Sequence, residues 1–454
     1  MDSKANSQPN AFALIPFLVF AVFYVGLSLY AKFGCHADMP FYKVPMPVAF
    51  LVASATALLF NRRKRLEEKI DVYAAGMGET NIMVMCLIFI LAGAFAAVAK
   101  GSGAVDAAVA IAQSLIPARL MVAGVFLISS LISLAIGTSC GTIAAVAPIA
   151  LGFAAPLHLS PALLLGAVVG GSMFGDNLSM ISDTTIAATR TQGVRMKDKF
   201  LANSAIAIPA AVTALALYAV TGSAAGSVAT PVVGFREALL VSPYLLILVL
   251  ALFGFNVMLL LFSGTVLASA IGLCLGRTAV FDVAAHSGTP FVPGILDLLG
   301  KGTLGMSETL IVAILAGGLF RTIQSNGGVQ WLTDRISSLV RGPRTCELGT
   351  FLLVAFVNCF TANNTVAIVI AGPIAKSCSD RFRAAPARIA SVLDTASCVV
   401  QGLLPYGAQI LIALGIATTM KIPLDAFDLV KCLYYQPLLA LAVLISILLG
   451  KPRG

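Results

Sequence analysis

Long apolar stretches separated by short polar ones set the pattern of this chain. Phe12–Ala31, Ile82–Val98 and Gln436–Gly450 run with almost no charge. As helices they are long enough, or nearly so, to cross about 30 Å of hydrocarbon. Ten stretches read as full crossings, at 12–31, 45–60, 82–99, 161–189, 198–221, 237–253, 256–276, 306–322, 386–419 and 431–450. Two more, 119–154 and 346–375, are polar near the middle and read as helix–break–helix hairpins that return to the side they left. Alternation is weak, Gly and Ala are frequent, and repeated turn signals are missing, which argues against a barrel. The expected fold is all-α: a polytopic membrane protein with broken helices and re-entrant hairpins.

The pattern also repeats. Leu91-Ala92-Gly93 recurs 224 residues on as Leu315-Ala316-Gly317, and Gly103-Ala104-Val105 as Gly327-Gly328-Val329. Ser114-Leu115-Ile116 recurs as Ser338-Leu339-Val340, and Pro148-Ile149-Ala150 as Pro373-Ile374-Ala375. Counting crossings, the stretch at 82–99 leaves the side that its counterpart at 306–322 enters. The expectation is two inverted-topology repeats, an arrangement that puts a carrier's site near the membrane midplane. The chain then divides into N-terminal helices and a basic cytoplasmic loop (1–80), repeat one (81–200), connecting helices (201–305), repeat two (306–420) and a C-terminal helix (421–454).

Composition agrees. Of 454 residues 59% are apolar and only 11% charged, against about 25% in a soluble domain. The net charge of +9 does not call for a nucleic-acid partner, because the basic residues fall in short loops. Most of the 29 Lys and Arg, including Arg62, Arg63, Lys64, Arg65, Lys69, Arg190, Arg195, Lys197 and Lys199, sort to one side. The positive-inside rule makes that side cytoplasmic, with both termini on it. Met1–Asn10 has no basic n-region, so the first apolar stretch is expected to stay as a helix. Nine scattered cysteines without a CxxC pair, and His36, His158 and His286 without ligand spacing, suggest neither a disulfide framework nor a zinc site. No cofactor is expected.

Candidate chemistry lies in four polar breaks inside apolar surroundings. The first is Gly137–Thr142, with Thr138, Ser139 and Thr142. The second is Gly175–Thr185, with Asp176, Asn177, Ser179, Ser182, Asp183, Thr184 and Thr185. The third holds Thr361, Asn363, Asn364 and Thr365; the fourth runs from Asp394 through Gln401 to Gln409. Gly and Pro free backbone carbonyls, and Asp, Asn, Ser and Thr add side-chain oxygens, a donor set for a small hard cation such as sodium. Irregular backbone at this depth survives only where it is buried or lines a cavity. A carboxylate there is costly unless paired, protonated or cation-bound. Protons and sodium can therefore compete for the same oxygens, which couples their opposing fluxes. The Ser182–Thr185 block is the expected cation cradle, with Asn363, Asn364 and Thr365 adding oxygens. Asp176 and Asp394 are the expected proton-sensitive partners. Each break also has a structural reading: Ser and Thr bond back to helix carbonyls, and Gly allows close packing.

At these residues the sequence resembles the NhaC-type sodium/proton antiporter family, in the broader ion transporter superfamily. The resemblance rests on Gly137–Thr142 with Pro148-Ile149, Gly175-Asp176, Ser182–Thr185, Thr361–Thr365, Gly372–Ala375 and Gln401–Gln409, and covers roughly residues 80–420. Family members often have Ser-Pro-Ile-Ser-Asp where this chain has Ser179-Met180-Ile181-Ser182-Asp183, and Asp-His where it has Asp176-Asn177. The resemblance implies sodium export in exchange for protons across a bacterial inner membrane. Related members exchange malate and lactate, so a sodium- or proton-coupled carrier of a small carboxylate is the alternative. A buried Arg would favour that alternative, and none falls in the four breaks. An enzyme is not expected: an intramembrane aspartyl protease would want Gly at 173 before Asp176, where Met173 stands. The partners expected are sodium ions, protons and the lipid bilayer, and a homo-oligomer is compatible with this reading.

Overall fold

The computed structural model describes residues 8–36, 43–60, 64–222, 234–283 and 291–450. Apart from two isolated bridges, Ala279–Gly294 and Val283–Val292, the regular structure among these residues is helical. Eight segments are long and apolar enough to cross a bilayer, and the chain is a multi-pass membrane protein.

The first half begins with α1, a segment spanning Ala11–Phe33. It continues with α2 (Met46–Leu59), α3 (Leu66–Met77), α4 (Thr80–Ser102), α5 (Ala104–Leu115), α6 (Met121–Ile136), α7 (Ser139–Gly152), α8 (Pro161–Leu178), α9 (Asp183–Gln192) and α10 (Met196–Thr221). The second half holds α11 (Phe235–Leu252), α12 (Val257–Cys274), α13 (Ile295–Gly305), α14 (Ser307–Ser325), α15 (Gly328–Leu339), α16 (Pro343–Thr361), α17 (Asn364–Phe382), α18 (Pro386–Leu403), α19 (Ala408–Thr419), α20 (Ala426–Lys431) and α21 (Tyr435–Leu449).

All four expected interruptions are breaks in the helical ladder. Gly137 and Ala362 take the left-handed conformation at the ends of α6 and α16, with φ of 74° and 47°. Thr138 and Asn363 follow, extended at φ −151° and −146°. Between α8 and α9 the chain is non-helical from Ser179 to Ser182 even though residue 180 is Met and not Pro. Between α18 and α19 the break carries Pro405 and Gly407.

Corresponding elements of the two halves share local detail. The α4–α5 and α14–α15 junctions turn at Gly103 and Gly327, with φ of 86° and 85°. The Ser133 hydroxyl donates to the Ser172 carbonyl at 2.6 Å, binding α6 to α8. At the matching place Asn358 donates to the Ser397 carbonyl at 2.9 Å, binding α16 to α18. The recurring Leu-Ala-Gly also has a physical cause. A Cβ on Gly93 would lie 2.3 Å from the Gly302 carbonyl oxygen, and one on Gly302 just as close to that of Gly93. Gly317 meets Gly76 in the same way, at 2.7 and 2.6 Å. Each repeat motif thus supplies a glycine where α4 crosses α13, and where α14 crosses α3.

Sequence reading missed α3. Its Leu-Glu-Glu-Lys-Ile-Asp start reads as part of the basic loop, yet Tyr73 is buried against α14. Tyr73 lies 2.6 Å from the Ser54 hydroxyl and donates to the Leu315 carbonyl at 3.2 Å.

Candidate functional site

The four breaks meet at one cavity of about 170 Å³. Its wall is formed by the start of α4 (Asn81, Val84, Met85, Ile88 and Phe89), then Gly137–Cys140, Asp176, Ser182–Thr184, Ala362–Thr365, Gln401, Ala408 and Gln409. Each interruption brings a helix C-terminal end and an N-terminal end to the same place. Carbonyl oxygens, amide hydrogens and polar side chains are thereby concentrated inside an apolar bundle.

Asp176 lies at the buried end of α8 and is 5% exposed. Its Oδ2 accepts from the Ser139 hydroxyl at 2.8 Å and its Oδ1 from the Ser182 hydroxyl at 2.5 Å. Both carboxyl oxygens are thus held by a serine hydroxyl. Ser139 in turn accepts from Gln409 Nε2 at 3.0 Å. Since the Ser139 proton is committed to Asp176, Gln409 must present its NH₂, and its Oε1 is left over. Gln401 donates Nε2 to the Ala362 carbonyl at 2.6 Å, which leaves its Oε1 over as well. Gln401 Oε1, Gln409 Oε1 and Asn364 Oδ1 are all buried without a hydrogen-bond partner. Three orphaned amide oxygens on residues that line the same cavity as the carboxylate make the site rich in acceptors, and buried acceptors are rarely left unpaired without a reason.

Thr138, Ser139, Asp176, Ser182, Asp183, Thr184, Asn363, Asn364, Thr365, Gln401 and Gln409 all line the cavity. Their surroundings differ in burial and hydrogen bonding. Both Asp176 and Asp183 border the cavity, Asp176 buried and Asp183 exposed at the first position of α9. The Ser182 hydroxyl caps α9 at Thr184 N, and Thr184 Oγ1 lies 2.8 Å from it. Asn363 Oδ1 caps α17 at Val366 N, 3.0 Å away, so that oxygen is already used.

The remaining candidates face elsewhere. Thr142 bonds back to the Thr138 carbonyl at 3.0 Å, and Ser179 donates to the Leu134 carbonyl at 2.9 Å. Asn177 donates to Tyr435 Oη at 3.0 Å and accepts from Asn203 at 2.8 Å. Asp394 is fully buried but does not border the cavity. It is ion-paired with Lys199, which also donates to Thr185 Oγ1 at 2.8 Å and the Asn177 carbonyl at 2.9 Å.

Lys199 corrects the charge sorting above: it is 1% exposed and not a loop cation. In the sequence it follows Arg190, Arg195 and Lys197, a basic run after the second break. Helical spacing was the available signal. On α10, Lys199 and Asn203 continue the buried stripe of Ala207, Ala210, Ala214 and Tyr218, whereas Lys197 is exposed.

Broken helices converging on a buried carboxylate in a multi-pass bundle define a secondary ion carrier. The model of the "Na+/H+ antiporter family" matches residues 46–223 and 207–450, and the chain belongs to that family. It is a sodium/proton antiporter of the NhaC type. The Na+/H+ antiporter NhaC of Bacillus subtilis is 25% identical, over 88% of this chain and 91% of that protein. NhaC of Alkalihalophilus pseudofirmus is 26% identical, over 81% of this chain and 82% of its own length. The malate-2H+/Na+-lactate antiporter of Bacillus subtilis is 24% identical over 91% of both chains.

Proposed function

We propose that sodium and protons take turns on Asp176, and that this alternation couples the two fluxes. The observation that carries the proposal is the set of orphaned oxygens, Asn364 Oδ1, Gln401 Oε1 and Gln409 Oε1, around the same cavity as the Asp176 carboxylate. Carboxylate and carbonyl oxygens are the ligands hard cations take. Ser139 and Ser182 hold the carboxylate in place. A proton on Asp176 removes the charge that attracts the cation, so the two ligands exclude each other. Only the sodium-loaded or protonated carboxyl can pass through the apolar barrier, because a bare charge there is costly. Exchange follows, with no covalent chemistry.

We infer that the two halves are inverted repeats extending beyond 81–200 and 306–420, with α1–α10 answered by α11–α21. Their packing is reciprocal: α4 lies on α13 and α14 on α3, while α7 lies on α19 and α17 on α9. An odd number of crossings (α4, α8–α9, α10, α11 and α12) separates the start of α4 from the start of α14. Loop charge then puts both termini and the start of α4 in the cytoplasm, so the cavity beside Asn81 and Met85 faces that side. The bacterial relatives support residence in a bacterial cytoplasmic (inner) membrane.

The malate/lactate relative raises the carboxylate alternative, which needs an uncommitted cation at the site. Lys199 has all three donors engaged, which supports a cation substrate. The test is purified protein in proteoliposomes, with internal pH followed as Na⁺, Li⁺, K⁺, malate or lactate is added singly. Sodium alone should drive proton movement. Lactate-driven movement without sodium would overturn the proposal.

A further inference from the structure

We infer that Lys199 is a fixed internal countercation for Asp394, so that Asp176 is the one exchangeable charge and each cycle swaps one sodium for one proton without net charge movement. The inference rests on Asp176 being the exchange site and adds its stoichiometry. Two carboxylates, Asp176 and Asp394, are buried near the four breaks, and two mobile charges per cycle would require both to be reachable. Asp176 borders the cavity; Asp394, fully buried, and Lys199, 1% exposed, do not.

The Lys199 ammonium is fully engaged. An ammonium has three donors and no acceptor. One donor goes to Asp394, one to Thr185 Oγ1 at 2.8 Å and one to the Asn177 carbonyl at 2.9 Å. Removing the Lys199 side chain would leave Asp394 buried without its ion-pair partner. The pair is therefore a neutral unit that also ties α10, from the first half, to α18 in the second. Subtracting it leaves Asp176 as the single buried negative charge at the cavity, enough for one monovalent cation or one proton; Asp183, which also borders the cavity, is exposed and is not part of that count.

The experiment uses the full chain in proteoliposomes carrying a pH reporter and a potential-sensitive dye. Sodium-driven proton flux should be unaffected by clamping the membrane potential with K⁺ and valinomycin, and the dye should report no sodium-evoked potential. Lys199→Met leaves Asp394 unpaired and should slow exchange about tenfold or more, since breaking one side of a buried pair is strongly destabilising. Lys199→Met combined with Asp394→Asn removes both charges and should restore most of the flux, still insensitive to potential. A sodium-evoked potential in the unaltered protein would overturn the inference while leaving sodium–proton exchange at Asp176 intact. So would a double variant that is folded and inserted yet no faster than Lys199→Met. Absence of any sodium-driven proton movement in the unaltered protein would overturn the exchange reading and this inference with it.

Discussion

The Ser139 hydroxyl donates to Asp176 Oδ2 across 2.8 Å, joining the first residue of α7 to the buried end of α8. Gln409, from α19 in the other half, donates to the same serine at 3.0 Å. The polarity of the site is therefore a directed chain, Gln409 to Ser139 to Asp176, with Ser182 completing the carboxylate from the other side. Three breaks and both halves meet in that chain, so a shift of one half against the other changes the surroundings of Asp176.

Gln409→Leu removes one orphaned oxygen and the donor to Ser139 while keeping similar bulk. The neutral hydrogen bond to Ser139 is worth about 0.5–1.5 kcal/mol, and the cation loses one oxygen ligand besides. The sodium concentration for half-maximal proton flux should rise about tenfold or more, at normal protein abundance. An unchanged sodium dependence in the same assay would remove Gln409 from the site.

Asp183→Asn should keep sodium-driven proton flux within about threefold of the unaltered protein. Asp183 is exposed at the rim and only complements the N-terminus of α9, a contribution of about 0.3–1 kcal/mol. Complete loss of flux in a well-inserted Asp183→Asn protein would move the exchange site to the rim.

Gly93→Ala should destabilise the fold, because its methyl would lie 2.3 Å from the Gly302 carbonyl oxygen. The backbones must separate, at about 1–3 kcal/mol for overpacking. A lower unfolding temperature in detergent checks this, and Gly317→Ala should behave alike through Gly76. Gly193→Ala is a different case: nothing lies within 4 Å of its added methyl, but its φ of 69° strains any side chain. Equal stability of Gly93→Ala and the unaltered protein would contradict the close crossing.

The breaks were legible because Gly, Asn, Asp and Pro inside apolar stretches have few structural uses, and Gly137, Asp176, Asn363 and Gln409 all meet at the cavity. Which oxygens are free was not legible. Asn363 and Asn364 are adjacent, yet one caps α17 while the other leaves its oxygen unpaired, a difference of orientation that composition cannot carry. Lys199 is hidden because it stands at the very start of the 198–221 crossing, next to the loop cations Arg195 and Lys197, while its burial depends on Asp394, 195 residues away. Helix α3 was missed because its charged first turn hides the stripe that packs Tyr73 on α14.

Asp176→Asn is the most direct test. Asn keeps the size and can still accept at one oxygen, but it cannot carry the charge that binds sodium or a proton. In proteoliposomes with the protein folded and inserted, the account predicts that sodium-driven proton flux falls to the level of empty vesicles, while Asp183→Asn exchanges normally. Sodium-driven flux in Asp176→Asn close to that of the unaltered protein would contradict the account at its centre.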